Sequence, residues 1–209
     1  MSRLPSRLLP LALPLAALAA WFAATGPGMV PEYLLPPPAA VGRALLEYVL
    51  GGNPSDPYSG RFAADLAASL GRVLSGYGLA VALGLPLGLA SGRLPGLARL
   101  LSPPVNGLRA VPGICWLPLA LVWFGVGYRT TVFLVALAAF FPVYLNAAAG
   151  AAAVPPVQLR AGAMLGLGRL GLVRHVMLPA SMAHVRSGLR IGLGLGFAYL
   201  VLGELTGAA

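Results

Sequence analysis

Residues 158–179 read QLRAGAMLGLGRLGLVRHVMLP, a polar, arginine-bearing interruption between two apolar stretches. A chain that turns around between two membrane helices needs only a short loop, so a long, glycine-punctuated, partly helical one points to a docking surface. Pro155 and Pro156 suit the first turn of a helix. Val157, Ala161, Met164 and Leu165 follow at i, i+4, i+7 and i+8 and form one apolar face, and Gly166 is placed to end the helix in the left-handed conformation. A second short helix is expected over about 169–177, ending where Leu178-Pro179 starts the next span.

The remainder of the chain puts that loop in a membrane protein. Of 209 residues, 58% are hydrophobic and only 9% charged, and the mean hydropathy is +0.85, against about 25% charge in ordinary soluble domains. Five stretches are apolar enough to cross a hydrocarbon core: about 8–24, 73–91, 108–126, 131–149 and 183–203. Arg3 and Arg7 before the first of them, with small residues near Ala24, also have the form of a secretory signal. The spans that follow favour an uncleaved first helix. The expected fold is therefore an all-α polytopic bundle, with residues 1–209 forming a single transmembrane domain.

Charge sets the expected orientation. With the amino terminus cytoplasmic, the inner segments hold Arg3, Arg7, Arg93, Arg99, Arg160, Arg169 and Arg174 and no acidic residue. Glu32, Glu47, Asp56 and Asp65 fall in an external connector, residues 25–65, and Glu204 at the outer end of the last span, as the positive-inside rule requires. The connector is expected to carry an amphipathic helix from about Ala39 to Leu50, after the prolines at 36–38, with Val41, Leu45 and Tyr48 on one face. The net charge of +9 comes from arginines scattered over membrane-flanking loops. Without an aromatic-interleaved basic patch, nucleic-acid binding is excluded.

Inside the spans, Gly76, Ala80, Gly84, Gly88 and Gly92 recur every fourth residue, as do Gly188, Gly192 and Gly196. Such small ridges let helix backbones approach closely, within one subunit or between two. Pro86, Pro112, Pro118 and Pro142 are expected to kink their helices. Arg186 and Arg190 share a helix face and can snorkel to the headgroups. The sharper alternative is that Arg190, and with it Arg109, faces an aqueous pathway and attracts an anionic solute. Trp123, Tyr128 and Tyr199 are expected as outer aromatic anchors. Cys115 lies in an apolar run and reads as packing.

Little chemistry is left for an enzyme. A Walker-type phosphate loop needs a lysine, and the chain has none. His175 and His184 have no carboxylate near them in sequence, so no metal site is expected. Ser91-Gly92 and Ser75-Gly76 lack a histidine at matching membrane depth, which argues against a serine protease.

The loop resembles the cytoplasmic signature of the inner-membrane permease subunits of binding-protein-dependent ABC importers: E-A-A, three residues, G, nine residues, an aliphatic residue, one residue, L-P. Here Arg160-Ala161-Gly162, Gly166, Val176 and Leu178-Pro179 keep that spacing throughout. The wider chain resembles the branch importing nitrate, aliphatic sulfonates, taurine or bicarbonate, in LLPPPAAV, LRAVPGICWLPLALVWFGVG, FFPVYLN and SGLRIGLGLGFAYLVLGE. The resemblance implies a bacterial inner-membrane, multi-pass location. It also implies an ATPase-coupling segment at 154–180 in which Val157, Arg160, Ala161, Gly162, Met164, Leu165, Gly166 and Pro179 take part. The implied partners are a cytoplasmic ATP-binding subunit, an extracytoplasmic solute-binding protein and a second permease copy. ATP would be bound by the partner, with no cofactor in this chain.

Two departures stand out. Arg160 replaces the usual glutamate, and Gly162 the second alanine, a weaker helix former by up to about 1 kcal/mol. Family members also continue past the glutamate matched by Glu204 into one more span, so the chain is expected to lack a last transmembrane helix and to leave Ala209 outside. The rival readings are a secondary transporter, for which no mid-membrane carboxylate is present, and a non-transporting fragment.

Overall fold

The structure is a computed structural model that describes residues 9–26, 30–53 and 55–205. Arg3, Arg7 and the chain end at Ala209 lie outside the described residues. Every regular element among them is helical: α1 Leu9–Ala24, α2 Pro38–Leu50, α3 Phe62–Arg93, α4 Pro95–Ala110, a 3-10 turn Gly113–Cys115, α5 Trp116–Phe124, α6 Tyr128–Ala153, α7 Pro156–Met164, α8 Arg169–Leu172, a π-helical turn Val173–Met177, and α9 Leu178–Gly203. Contacts divide the chain into two compact units, Met1–Leu66 and Ala67–Ala209.

In the first unit the Trp21 indole, near the end of α1, donates to the Pro36 carbonyl at 3.1 Å. Helix α2 starts at Pro38, whose missing N–H costs nothing in a first turn, and ends at Gly51 with φ +77. The N–H groups of Gly51 and Gly60 both donate to the Glu47 carbonyl, at 2.9 and 3.0 Å. This folds the turn-forming 51–60 segment back on the helix end. The Tyr48 hydroxyl donates to Asp65 at 3.1 Å, and its ring meets Phe62 edge-on at 5.8 Å.

The second unit is built around α6, whose Leu134, Val135, Ala139, Tyr144 and Ala147 are among its fully enclosed residues. α9 packs against it most extensively. A Cβ added at Gly188 would come within 2.7 Å of Asn146 and 2.8 Å of the Pro142 carbonyl, and one at Gly192 within 3.1 Å of the Ala139 carbonyl. From α3, a Cβ at Gly76 would lie 2.7 Å from the Val132 carbonyl, one at Gly84 3.2 Å from Val143 and one at Gly88 2.5 Å from the Tyr144 carbonyl, while Gly92 abuts Ala148. Both small-residue ridges therefore face one helix of the same chain. Lipid tails supply no hydrophobic drive between helices, so this close backbone contact contributes much of the cohesion. The Ser91 and Tyr144 hydroxyls bond at 2.8 Å within it, which gives Ser91 a packing role.

Three features differ from the sequence expectation. Helices α3, α6 and the continuous Arg169–Gly203 stretch are each long and apolar enough to cross a membrane, and α1, from Leu11, forms a shorter apolar helix. The expected third span, 108–126, is broken: α4 and the Gly113–Phe124 segment meet at 87°. Pro112 lacks an N–H and biases the preceding residue away from helix, and Val111 is extended, with φ −74 and ψ 121. By contrast Pro86 and Pro142 sit inside unbroken helices. The 16-residue α4 itself was not anticipated, because Pro103-Pro104 in its middle reads as a helix breaker.

The third difference concerns Leu178-Pro179. The loop's second helix and the last span form one continuous 35-residue helix, Arg169–Gly203. The π turn is what permits this. The Leu178 N–H donates to the Val173 carbonyl, and the widened turn makes room for the Pro179 ring over the preceding carbonyls.

Candidate functional site

The loop folds as a helix, a glycine turn and a second helix. α7 ends in a Schellman arrangement: the Gly166 N–H donates to the Ala163 carbonyl at 3.0 Å and the Leu167 N–H to the Gly162 carbonyl at 3.2 Å. Gly166 has φ +84 and open space around its Cα, so glycine is needed there for backbone conformation alone.

The two faces of α7 have different surroundings. On the inner face Leu159 packs against a cluster that includes Leu89, Ala151, Val154 and Met177. Gly162 is buried, and a Cβ there would sit 2.8 Å from Leu172 and 3.1 Å from Val176. The glycine that replaces the customary alanine thus lets the second helix cross close against the first. On the outer face Val157 is 67%, Met164 90% and Leu165 83% exposed, and Leu170 of α8 adds another apolar side chain at 81%. Arg160, Ala161 and Pro179 are exposed as well. The outer face is a greasy surface on a polar loop.

A second feature lies at the broken span. A cavity of about 410 Å³ opens there, lined by Arg109, Pro112, Trp116, Phe141, Asn146 and Tyr199 among others. Irregular backbone at membrane depth is tolerated where it lines such a space. Among the described residues Arg109, at the end of α4, is the one charged side chain in the lining. Arg190 is exposed on α9 and does not line the cavity. The geometry therefore separates the two arginines that the sequence grouped together.

Tyr199 packs on Gly113, where a Cβ would overlap its ring, while Trp123 and Tyr128 are exposed. Asn146 and Trp116 were missed from sequence. The signal for Asn146 was available, since it is the single amide in a long apolar span. Its Nδ2 donates to the Pro142 carbonyl at 2.8 Å. His175 bonds the Gly171 carbonyl through Nδ1 at 3.1 Å, and the Cβ of His184 packs beside Gly150.

Residues 80–209 match the family described as binding-protein-dependent transport system inner membrane component. The chain is similar to the taurine transport system permease protein TauC of Escherichia coli K12, 36% identical over 191 residues, which cover 91% of this chain and 68% of that one. It is also similar to the Bacillus subtilis permease protein SsuC, named for aliphatic sulfonates transport, 31% identical over 95% of this chain and 69% of the relative. The nitrate import permease protein NrtB of Leptolyngbya laminosa is 34% identical over 68% of this chain and 52% of its own length.

Proposed function

The chain belongs to the inner membrane components of binding-protein-dependent transport systems, and from that premise we propose that it forms the pathway for a small anionic solute in an ATP-driven importer. The permease role follows from the family. The finer assignments rest on the geometry above and on the relatives named for taurine, aliphatic sulfonates and nitrate. Bicarbonate is a solute of the same class.

The observation that carries the reading is the two-faced loop, packed inward through Leu159 and Gly162 and exposed outward through Val157, Met164 and Leu165. That outer face is the dock for a cytoplasmic ATP-binding subunit, with Arg160, Ala161, Gly166 and Pro179 completing the segment. An extracytoplasmic binding protein delivers the solute, and a second permease copy completes the pathway. The chain crosses the membrane five times in this reading, through α1, α3, the bent α4–α5 pair, α6 and α9, with the amino terminus cytoplasmic. Arg109 at the cavity attracts the anion. ATP closure in the partner biases two arrangements of the spans through differential contacts with the loop.

Gly166→Val tests this. A β-branched residue is disfavoured at φ +84, so the variant should reinsert normally but hydrolyse ATP in the complete assembly without matching uptake. Normal uptake with normal binding-protein-stimulated hydrolysis would refute the docking assignment.

A further inference from the structure

A second cavity, of about 560 Å³, lies on the inner side of the loop. Leu159 lines it, and two residues correspond to about 200° of helical rotation, which places Leu159 opposite Val157 on α7. Leu89, Leu94, Leu172 and Met177 supply further apolar wall, and Arg93 and Arg169 are the charged residues of the lining. Arg93 is half-buried, and its Nη1 donates to the Val154 carbonyl at 3.2 Å, which fixes the guanidinium while leaving its other N–H groups for a ligand.

Among the described residues neither arginine forms an ion pair. Residues 67–203 contain no acidic side chain. Glu204 pairs with Arg72, twenty-one residues before Arg93 on the same helix, which is about 30 Å away. An occupant that is anionic at one end, beside the two arginines, and apolar at the other, against the leucines, therefore matches the lining best. A free anion would leave the apolar wall wet, and a neutral acyl chain would leave the arginines unpaired. Arg93 is the last residue of a helix long enough to span a bilayer, which is headgroup height.

We propose that this cavity binds an anionic phospholipid, with the headgroup phosphate between Arg93 and Arg169 and an acyl chain along Leu89, Leu94, Leu159 and Leu172. The bound lipid bridges the end of α3 to α8 and so supports the loop from behind. The binding does not depend on the topology proposed above.

The test is lipid retention by the purified full-length chain in detergent after exchange with phosphatidylglycerol or phosphatidylcholine, read by native mass spectrometry. The expected result is clearly more retained phosphatidylglycerol than phosphatidylcholine, whose choline cation offsets its phosphate charge. Arg169→Gln, at an exposed site, should lower retention about fivefold, the weight of one basic residue at an anionic surface. Leu94→Asp, also exposed, should lower it at least as much. Arg99→Gln, outside the lining, should leave it unchanged. Equal retention of both lipids, no change in either variant, or an equal loss in Arg99→Gln would overturn the proposal. Displacement of the lipid by inorganic phosphate alone would mark a free-anion site and overturn it as well. Uptake does not enter the measurement, so its failure leaves the permease reading untouched.

Discussion

Glu204 accepts hydrogen bonds on one carboxylate oxygen from Arg72 Nη1 at 2.7 Å and from the Ser69 hydroxyl at 2.6 Å. The Arg72 and Glu204 side chains are 12% and 25% exposed, and this pair ties α3 to the carboxyl-terminal end of α9. Arg72 Nε is buried without a partner among the described residues, so the carboxylate is the guanidinium's main compensation. Removing one partner leaves a charge poorly solvated, which costs more than the net worth of the pair.

Glu204→Gln should therefore destabilise the protein by about 1–3 kcal/mol, measured by unfolding in mixed detergent micelles. Arg72→Met combined with Glu204→Leu should cost less than the two single changes added together, because no charge is then left unpaired.

The glycine ridges make a contrasting pair of predictions. Gly88→Leu must push against the Tyr144 carbonyl, backbone that cannot rotate away, and should cost about 1–3 kcal/mol. Gly78 lies on the same helix with nothing within 4 Å of an added Cβ, and Gly78→Ala should be neutral or stabilising by up to about 1 kcal/mol. The same unfolding assay reads both, and equal losses would refute the packing account.

On the loop, Met164→Asp and Leu165→Asp alter side chains that are 90% and 83% exposed. Stability should stay within about 0.5 kcal/mol, while co-purification of the ATP-binding subunit drops at least tenfold. A stable variant that still captures the subunit would remove the outer face from the dock.

At the cavity, Arg109→Gln should raise the KM for an anionic solute roughly tenfold, the loss of one charge-assisted contact, in transport by the complete assembly. Arg190→Gln, which does not touch the cavity, should change it little. The reverse order would place the pathway on the α9 face instead.

Much of the loop could be read from the chain because its logic is local. The end of α7 at Gly166 follows from one residue's backbone freedom and the spacing of four apolar side chains, and no distant contact is needed to infer it. The amphipathic α2, starting after Pro37, is legible for the same reason. Helix α4 was not, because two adjacent prolines argue locally against the helix that the rest of the chain tolerates. The continuity through Pro179 was hidden too, since a single widened turn absorbs what proline normally forbids.

By itself the sequence determined the membrane-embedded, all-helical character, the family spacing and the small-residue ridges, because composition, period and glycine placement act along one helix at a time. Only the tertiary structure decided which helix those ridges face, that the third apolar stretch breaks at Pro112 to open a cavity around Arg109, and that Arg190 stays outside it. Those outcomes depend on which surfaces come within a few ångströms of one another, and residues such as Gly88 and Tyr144, or Gly113 and Tyr199, carry no mark of their partner until the helices are packed.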